Sequence, residues 1–538
     1  MKNNVRRLSS QAGSQRDERF NQLLDDVMQR SVYPQDRFQI AALLETMGWN
    51  DKRVYDAFGV DGVFDLAEEI WELIQQKIVY ASFAKPVQKS KAEMLFEVVK
   101  SFLRGLIFAL PMALSVISML TLKFSLWSYE YLSVDLATCI AIGTILSFLV
   151  VGGFTQAIAR RGFFYLFQGY YNMGRKMTFT FIRLGYAACL LTAAAVYLFN
   201  LVFNLVTGYM LTVIIVYFTF MATIWLSVTV MYILRKEIIF TLLMLVGIGM
   251  VYVLFRVFEL DILVAQLASM LVVSVVGMAL GIYFFKQEER KEEKGIAPKM
   301  PRLSLTAYAV MPYFQYGFLY FLFLYVDRVM AWSVNEEFMP FFLWFRGDYE
   351  LGLDFALLVL MLPLGVTEVV VNKMMLDIEA AQKGYWGFET DKMCRHFLAM
   401  YHKWMLATGI SAVVSAGLVA LLMHVMNDSY YQFSGKYLIG SSTTYFVFIC
   451  SLIAYMILAV ALMNAVILFA LSQPKLVSRS ILPAVGVNIL IGFLLTRWTG
   501  YGSAVFGLII GSIVFTWLSY REVKRVLSHL DYYLYAAS

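Results

Sequence analysis

The chain has 538 residues, 60% of them hydrophobic, 16% aromatic and 15% charged, with a formal net charge of +6 and a mean hydropathy of +0.67. A soluble domain is about one-quarter charged, so most of this chain must be solvated by lipid, which excludes an ordinary soluble globular protein. The basic excess is weak evidence for nucleic acid, because most of the cations sit in short connections between apolar runs, and no nucleic-acid partner is expected.

In chain order, the first twenty residues lack the apolar stretch of a cleaved signal, so membrane targeting falls to the internal spans. Residues 1–84 read as a small helical, cytoplasmic domain. Residues 35–47 place Phe38, Leu43, Leu44 and Met47 on a helical face that Gly48 stops. A second short helix over 50–58 ends at Gly59. In 61–77, Val63, Phe64, Ala67, Ile70, Trp71 and Ile74 recur at three- and four-residue steps, the period of an amphipathic helix. Three short helices around Met47-Gly48-Trp49 resemble a ubiquitin-associated-type three-helix fold. The alternative is a helical adaptor or membrane-edge cap.

About twelve apolar spans follow, near 101–122, 136–158, 179–204, 209–233, 238–257, 262–285, 304–326, 351–372, 398–426, 441–470, 480–496 and 501–520. Roughly twenty apolar residues cross a bilayer as a helix. The charged stretch 286–302 (KQEERKEEKGIAPKMPR) divides them six and six. The expected organisation is therefore 1–84, a first six-helix bundle over 85–285, a linker over 286–303, a second bundle over 304–520, and a tail over 521–538. Residues 160–177 are aromatic and basic, which predicts a segment lying along the membrane surface. Pro111, Pro312 and Pro363 fall inside spans and predict kinks or local unwinding.

Lys and Arg counts near the span ends set the orientation. With the N-terminus inside, 28 lie on the cytoplasmic flanks and six (Lys123, Arg256, Arg328, Arg346, Lys436, Arg497) on the outer connections. An odd number of spans would scramble that alternation. The expectation is an even number, with both termini in the cytoplasm of a cell-membrane protein.

Ionisable groups inside spans are costly and often functional. Tyr313, Tyr316, Tyr320 and Asp327 share one helical face of the seventh span, and Asp327-Arg328 closes it. In the eighth span Asp354, Met361 and Glu368 recur every seven residues. These carboxylates and Arg328 form a candidate substrate path, with the tyrosines stacking on sugar rings and bonding hydroxyls. The competing structural reading makes Asp327 and Arg328 interfacial, the tyrosines part of an aromatic belt, and Glu368 a partner of Lys373. Gln266, Asn464 and Asn488 read as interhelical hydrogen bonders, and Gly277 with Gly281 as a close-packing pair.

Enzymatic constellations are missing. The four cysteines (Cys139, Cys189, Cys394, Cys450) show no paired spacing. No acid–histidine cluster has metal-ligand spacing, and no phosphate loop is present. Neither a cofactor nor a metal is expected.

Phe321–Trp332 (FLFLYVDRVMAW) and Tyr349–Glu379 (YELGLDFALLVLMLPLGVTEVVVNKMMLDIE) resemble the Pel exopolysaccharide transporter family, within the multidrug/oligosaccharidyl-lipid/polysaccharide exporter superfamily. That resemblance implies a V-shaped pair of six-helix bundles working by alternating access. It also implies a polysaccharide or lipid-linked glycan as cargo, with a cytoplasmic glycosyltransferase and other membrane subunits as partners. Asp327 and Arg328 match the family's acidic–basic pair, and Asp354 the acidic residue opening the next span. Residues 1–84 depart from the family pattern and suggest a docking module. The expectation is an all-α polytopic exporter without enzymatic activity. Its rivals are a lipid-linked oligosaccharide flippase, a multidrug antiporter, a non-transporting scaffold for a synthase, and a membrane-embedded transferase.

Overall fold

A computed structural model of the chain describes residues 19–20, 22–24, 26–27, 36–80, 91–129, 131–290, 301–335, 342–384, 390–435, 437 and 439–537. The chain divides into two compact units, Met1–Ser90 and Lys91–Ser538.

In the first unit three helices form where the periodicity places them: α1 (Arg37–Thr46), α2 (Asp51–Phe58) and α3 (Val63–Tyr80). The Asp36 carboxylate accepts from the Gln39 amide and the Asn50 side chain from the Arg53 amide, each satisfying an orphan donor of a first turn. Gly59 ends α2 in the left-handed region at φ 70°, open to glycine at no steric cost. Ile40, Leu44, Val54, Leu66 and Ile70 are fully buried and close the core. Trp49 packs on Phe58 at 5.3 Å between ring centroids, under the Arg53 guanidinium. The tryptophan of the Met-Gly-Trp loop is therefore part of this unit's own packing.

The second unit is helical apart from one isolated bridge, Phe124–Tyr129, among the described residues. Its helices are α4 (Lys91–Leu122), α5 (Val134–Phe167), α6 (Tyr171–Phe203), α7 (Gly208–Ile233), α8 (Glu237–Tyr252, extended by a π turn to Val257) and α9 (Ile262–Glu289). After the connector come α10 (Leu303–Trp332), α11 (Gly347–Leu357), a tight turn at Leu358–Leu360, and α12 (Met361–Gly384). The chain finishes with α13 (Thr390–Ser434), α14 (Ser442–Ala470), α15 (Pro474–Thr499), α16 (Val505–Ser528) and α17 (Leu530–Ala537). Eleven of these segments are long and apolar enough to cross a membrane; α4, bent by 42° between Ile107 and Ala109, supplies a twelfth. Pro111 removes the bond to the Ile107 carbonyl and crowds it, which places the bend there. Leu190, Leu191 and Val202 of α6 are more than 70% exposed, the mark of a face solvated by acyl chains.

Residues 160–177 do not lie flat as a separate surface segment. Arg160–Phe167 completes α5, Gly169 turns the chain at φ 78°, and α6 begins at Tyr171. The helical period simply continues through the arginines, so aromatic and basic composition marked a helix end. The last span likewise runs beyond 520, with Val523, Val526, Leu527 and Leu530 fully buried. Most of the expected linker, 291–300, lies outside the described residues.

The two sets of six pack alike. In the first, α5 meets α6 and α7, α9 meets α7 and α8, and α4 meets α8. In the second, α11–α12 meets α13 and α14, α16 meets α14 and α15, and α10 meets α15, the same pairings shifted by six spans. A methyl group on Gly143 of α5 would meet the Ile214 carbonyl at 2.8 Å and the Phe218 amide at 3.1 Å. One on Gly352 of α11 would meet the Thr444 carbonyl at 2.8 Å and the Phe448 amide at 3.0 Å. Small residues let backbones approach this closely without lipid-excluded voids.

The sets join through two crossings, α5 on α10 and α12 on α4, each the image of the other. Both are glycine on glycine. A methyl on Gly317 would strike the Gly152 carbonyl, and one on Gly105 would sit 2.7 Å from the Gly365 Cα. Polar groups within the spans are spent on such contacts. Gln266 accepts from the Tyr217 hydroxyl and donates to the Ser125 and Ser128 carbonyls. Asn464 accepts from Tyr401 and donates to Ser519, and Asn488 donates to the Phe323 carbonyl.

Candidate functional site

The end of α10 and the start of α11 hold the densest set of charges inside the second unit. Asp327 and Arg328 are 0% and 7% exposed, buried among the helices of the second unit. The Arg328 guanidinium forks. One arm is ion-paired with Glu350, itself buried, and the other donates to the Asp354 carboxylate at 3.0 Å. Trp332 Nε1 donates to the second oxygen of Glu350 at 2.9 Å, and the Tyr349 hydroxyl donates to Asp327 at 2.8 Å. Tyr325 lies beneath the guanidinium at 5.2 Å, and Tyr455 of α14 borders it. Three carboxylates thus share one cation, and the planar fork of arginine suits the paired acceptors that Glu350 and Asp354 offer. Asp354 alone of the four is well exposed, its side chain at 53%. Asp327 Oδ1 and Arg328 Nε have no partner among the described residues.

Along α10 below this cluster runs a ladder of rings. Tyr313 stacks on Phe469 at 5.5 Å, Tyr316 meets Phe469 at 4.7 Å and Tyr320 at 5.8 Å, and Tyr320 meets Phe321 at 5.3 Å. Phe148 of α5 then stacks on Phe321 at 4.9 Å and on Tyr325 at 5.2 Å. Arginines close both ends, Arg160 over Tyr313 and Arg328 over Tyr325, each at 5.2 Å. The hydroxyls of Tyr313, Tyr316, Tyr320 and Tyr325 have no hydrogen-bond partner among the described residues. The ladder is therefore a packed column of rings at the seam between the two sets of helices, with Tyr313 and Tyr316 only 8% and 6% exposed.

Six of the seven residues singled out from sequence gather in this region: Tyr313, Tyr316, Tyr320, Asp327, Arg328 and Asp354. Glu368 does not. The tight turn at Leu358–Leu360, forced where Pro363 cannot bond back to Val359, breaks the helix between Asp354 and Met361. Glu368 lies fourteen residues beyond Asp354, roughly 21 Å of helix rise, and so at another level of the bundle. Glu368 instead faces α4 and the α7–α8 turn, among Arg104, Arg235 and Glu237. One turn further on, Asn372 donates to the Ser101 hydroxyl at 3.0 Å. Lys373 does not pair with Glu368; its ammonium lies over the Trp404 ring at 5.6 Å. Glu350 escaped the sequence reading, although its offset of four from Asp354 was the available signal. Among the described residues no group of His, Cys, Asp or Glu has the arrangement to hold a metal ion.

With this geometry in hand, the chain compares with solved structures as follows. It is similar to a eukaryotic MATE transporter with a TM-score of 0.55 at 12% identity, covering 80% of this chain and 98% of that one. A Vibrio cholerae MATE transporter gives 0.52 at 14% identity, covering 81% and 97%. A MOP superfamily transporter from Pyrococcus furiosus, described as having a binding pocket of reversed polarity, gives 0.50 at 14% identity over 80% and 96%. No family model matches the chain, and no curated protein matches it. Over about four-fifths of the chain the fold is like that of MATE transporters, an all-α polytopic membrane fold.

Proposed function

We propose that the protein is a membrane carrier that exports a hydroxyl-rich glycan by alternating access between its two sets of six helices, without enzymatic activity. The observation that carries this reading is the ladder of Tyr313, Tyr316, Tyr320 and Tyr325, whose rings, with hydroxyls that have no partner among the described residues, run along one helix to a half-open charge cluster. Flat rings suit the apolar faces of sugars, and free hydroxyls replace the water a glycan gives up on leaving solvent. Asp327, Arg328 and Asp354 bind polar groups at one end of that path, Asp354 with the exposed carboxylate. Glu368 belongs to the seam on the α4 side.

The Pel-type resemblance of Phe321–Trp332 and Tyr349–Glu379 favours an exopolysaccharide or lipid-linked glycan as cargo, delivered by a cytoplasmic glycosyltransferase. The basic flanks favour a cell membrane with both termini inside. The likeness in fold to MATE transporters favours a second reading, an antiporter of drug-like cations, on which the three carboxylates around Arg328 receive the cation.

Transport by the reconstituted full chain separates the two. Tyr316→Phe/Tyr320→Phe keeps the rings and removes two hydroxyls. It is expected to slow export of a labelled oligosaccharide several-fold while sparing efflux of an aromatic cation such as ethidium. Efflux of the cation with no oligosaccharide movement by the wild-type chain overturns the glycan reading.

A further inference from the structure

The seam between the two sets of helices is ringed and glycine-packed in its middle and polar at its ends. On α5 the Thr138 hydroxyl accepts from the Phe345 amide at 3.1 Å, and the Arg160 guanidinium donates to the Ser472 hydroxyl at 3.3 Å. On α4 the Ser101 hydroxyl accepts from the Asn372 side chain at 3.0 Å. Lys123, which follows α4 in the left-handed region at φ 68°, sets its ammonium over the Tyr430 ring at 4.3 Å. Each contact joins a residue of the first set to one of the second. Thr138 to Arg160 and Ser101 to Lys123 are both twenty-two residues, about 33 Å of helix rise. A hydrocarbon core is roughly 30 Å thick, so the four contacts fall two at each rim. Thr138 and Lys123 mark the rim where α4 gives way to α5, and Ser101 and Arg160 mark the opposite one.

The rims are not held alike. At the Ser101–Arg160 rim the Gly105–Gly365 crossing brings backbones together one turn from Ser101, and Glu368 of the second set sits among Arg104, Arg235 and Glu237 of the first. The Thr138–Lys123 rim has no such crossing among the described residues. The glycines nearest it, Gly143 and Gly352, pack within their own sets, against Ile214 and Thr444. An amide–hydroxyl bond and a cation over a ring part at little cost where water can replace them. We propose that the Thr138–Phe345 and Lys123–Tyr430 contacts form a latch that parts first, with the opposite rim serving as the hinge. The sets then swing about the Gly105–Gly365 crossing, and the Arg328 end of the ring ladder opens to that rim. The inference rests on the reading of alternating access between the two sets and assigns which contacts break, and in what order.

Double electron–electron resonance on the full chain in lipid nanodiscs reads each rim without cargo, with the four native cysteines replaced by alanine. Nitroxides at Tyr209→Cys and Tyr445→Cys, exposed near the starts of α7 and α14, report the Thr138–Lys123 rim. Those at Tyr283→Cys and Leu376→Cys, exposed on α9 and α12, report the other. Thr138→Val/Lys123→Met removes the hydroxyl and the ammonium while keeping side-chain size. It is expected to enlarge a second, longer distance between positions 209 and 445 and to leave the 283–376 distance single and narrow. The milder Thr138→Val alone should shift the same distance in a smaller fraction of molecules. Ser101→Ala/Arg160→Ala should leave both distances in place, because the glycine crossing remains. An unmoved 209–445 distance in Thr138→Val/Lys123→Met, or a 283–376 distance that lengthens as much in either double variant, overturns the proposal. A chain that opens at this rim yet moves neither oligosaccharide nor cation keeps the latch and sinks the transport reading. A chain that transports while its 209–445 distance is the same in every variant sinks the latch alone.

Discussion

At the scale of single residues, the cluster around Arg328 sets different tolerances for chemically similar groups. Glu350 is buried and bonded by both Arg328 and Trp332, whereas Asp354 is bonded by Arg328 alone and keeps half its side chain exposed. Breaking a buried ion pair by removing one partner costs about 3–5 kcal/mol, because the other charge stays behind uncompensated. Arg328→Ala, which strands Glu350 beside Asp327, should therefore lower the thermal midpoint of the purified protein most, with Glu350→Gln next and Asp354→Asn least. Equal shifts for Glu350→Gln and Asp354→Asn in a thermal-shift measurement would contradict this placement. Glu368 is tested differently. Asp261 caps α9 by accepting from the Leu263 amide at 2.8 Å, and asparagine caps equally well. Glu368→Gln should depress transport while Asp261→Asn does not.

Residue types were readable here, and the company they keep was not. The tyrosines at 313, 316 and 320 and the pair Asp327-Arg328 announced themselves by helical spacing and by charge inside an apolar run. The company of Glu368 was hidden, because it depends on which helix ends pack against α12, and these bring Arg104, Arg235 and Glu237 to it. Glu350 was hidden because a carboxylate near a span end reads as interfacial until its partners are known.

At the scale of elements, the two crossings between the sets of helices rest on absent side chains. Gly152 and Gly317 leave no room for a methyl group, and Gly105 and Gly365 leave little. Gly249 of α8 has nothing within 4 Å of its would-be Cβ. Gly317→Val should sharply reduce the yield of monodisperse protein on size-exclusion chromatography, whereas Gly249→Ala should leave it unchanged. If Gly317→Val runs like the wild type, α5 and α10 do not approach as closely as described. Helix positions were legible because lipid demands long apolar runs, and all twelve spans fall where the hydropathy places them. Their ends were less so. The helical hydrogen-bond pattern continues well past the last apolar residue, which is why the aromatic–basic stretch after Arg160 resembled a surface helix.

At the scale of the whole molecule, the orientation inferred from the basic flanks can be read by labelling. Cys139, Cys189 and Cys394 are buried and Cys450 is half-buried, so the background is low. A cysteine introduced at Gln287 should resist a membrane-impermeant maleimide in intact cells and react after permeabilisation. One introduced at Ser441 should react in both. The opposite pattern would invert the topology and with it the direction of transport. The two-by-six layout was visible in the count of spans and the position of the charged connector. The matching helix pairings of the two halves were not, because they reside in which helices touch.

That shared pairing has a consequence for how such a chain could arise. Six crossings return a polypeptide to the side it started from, so two six-span halves joined in tandem enter a bilayer in the same sense. Each half offers the other the same two helices, and the α5–α10 contact becomes the α12–α4 contact when the halves trade places. An ancestral six-span protein pairing with itself would already possess both crossings, and tandem duplication followed by fusion would convert that homodimer into a monomer. Only then could one copy acquire the arginine fork and the tyrosine ladder while the other kept glycines and phenylalanine facing them.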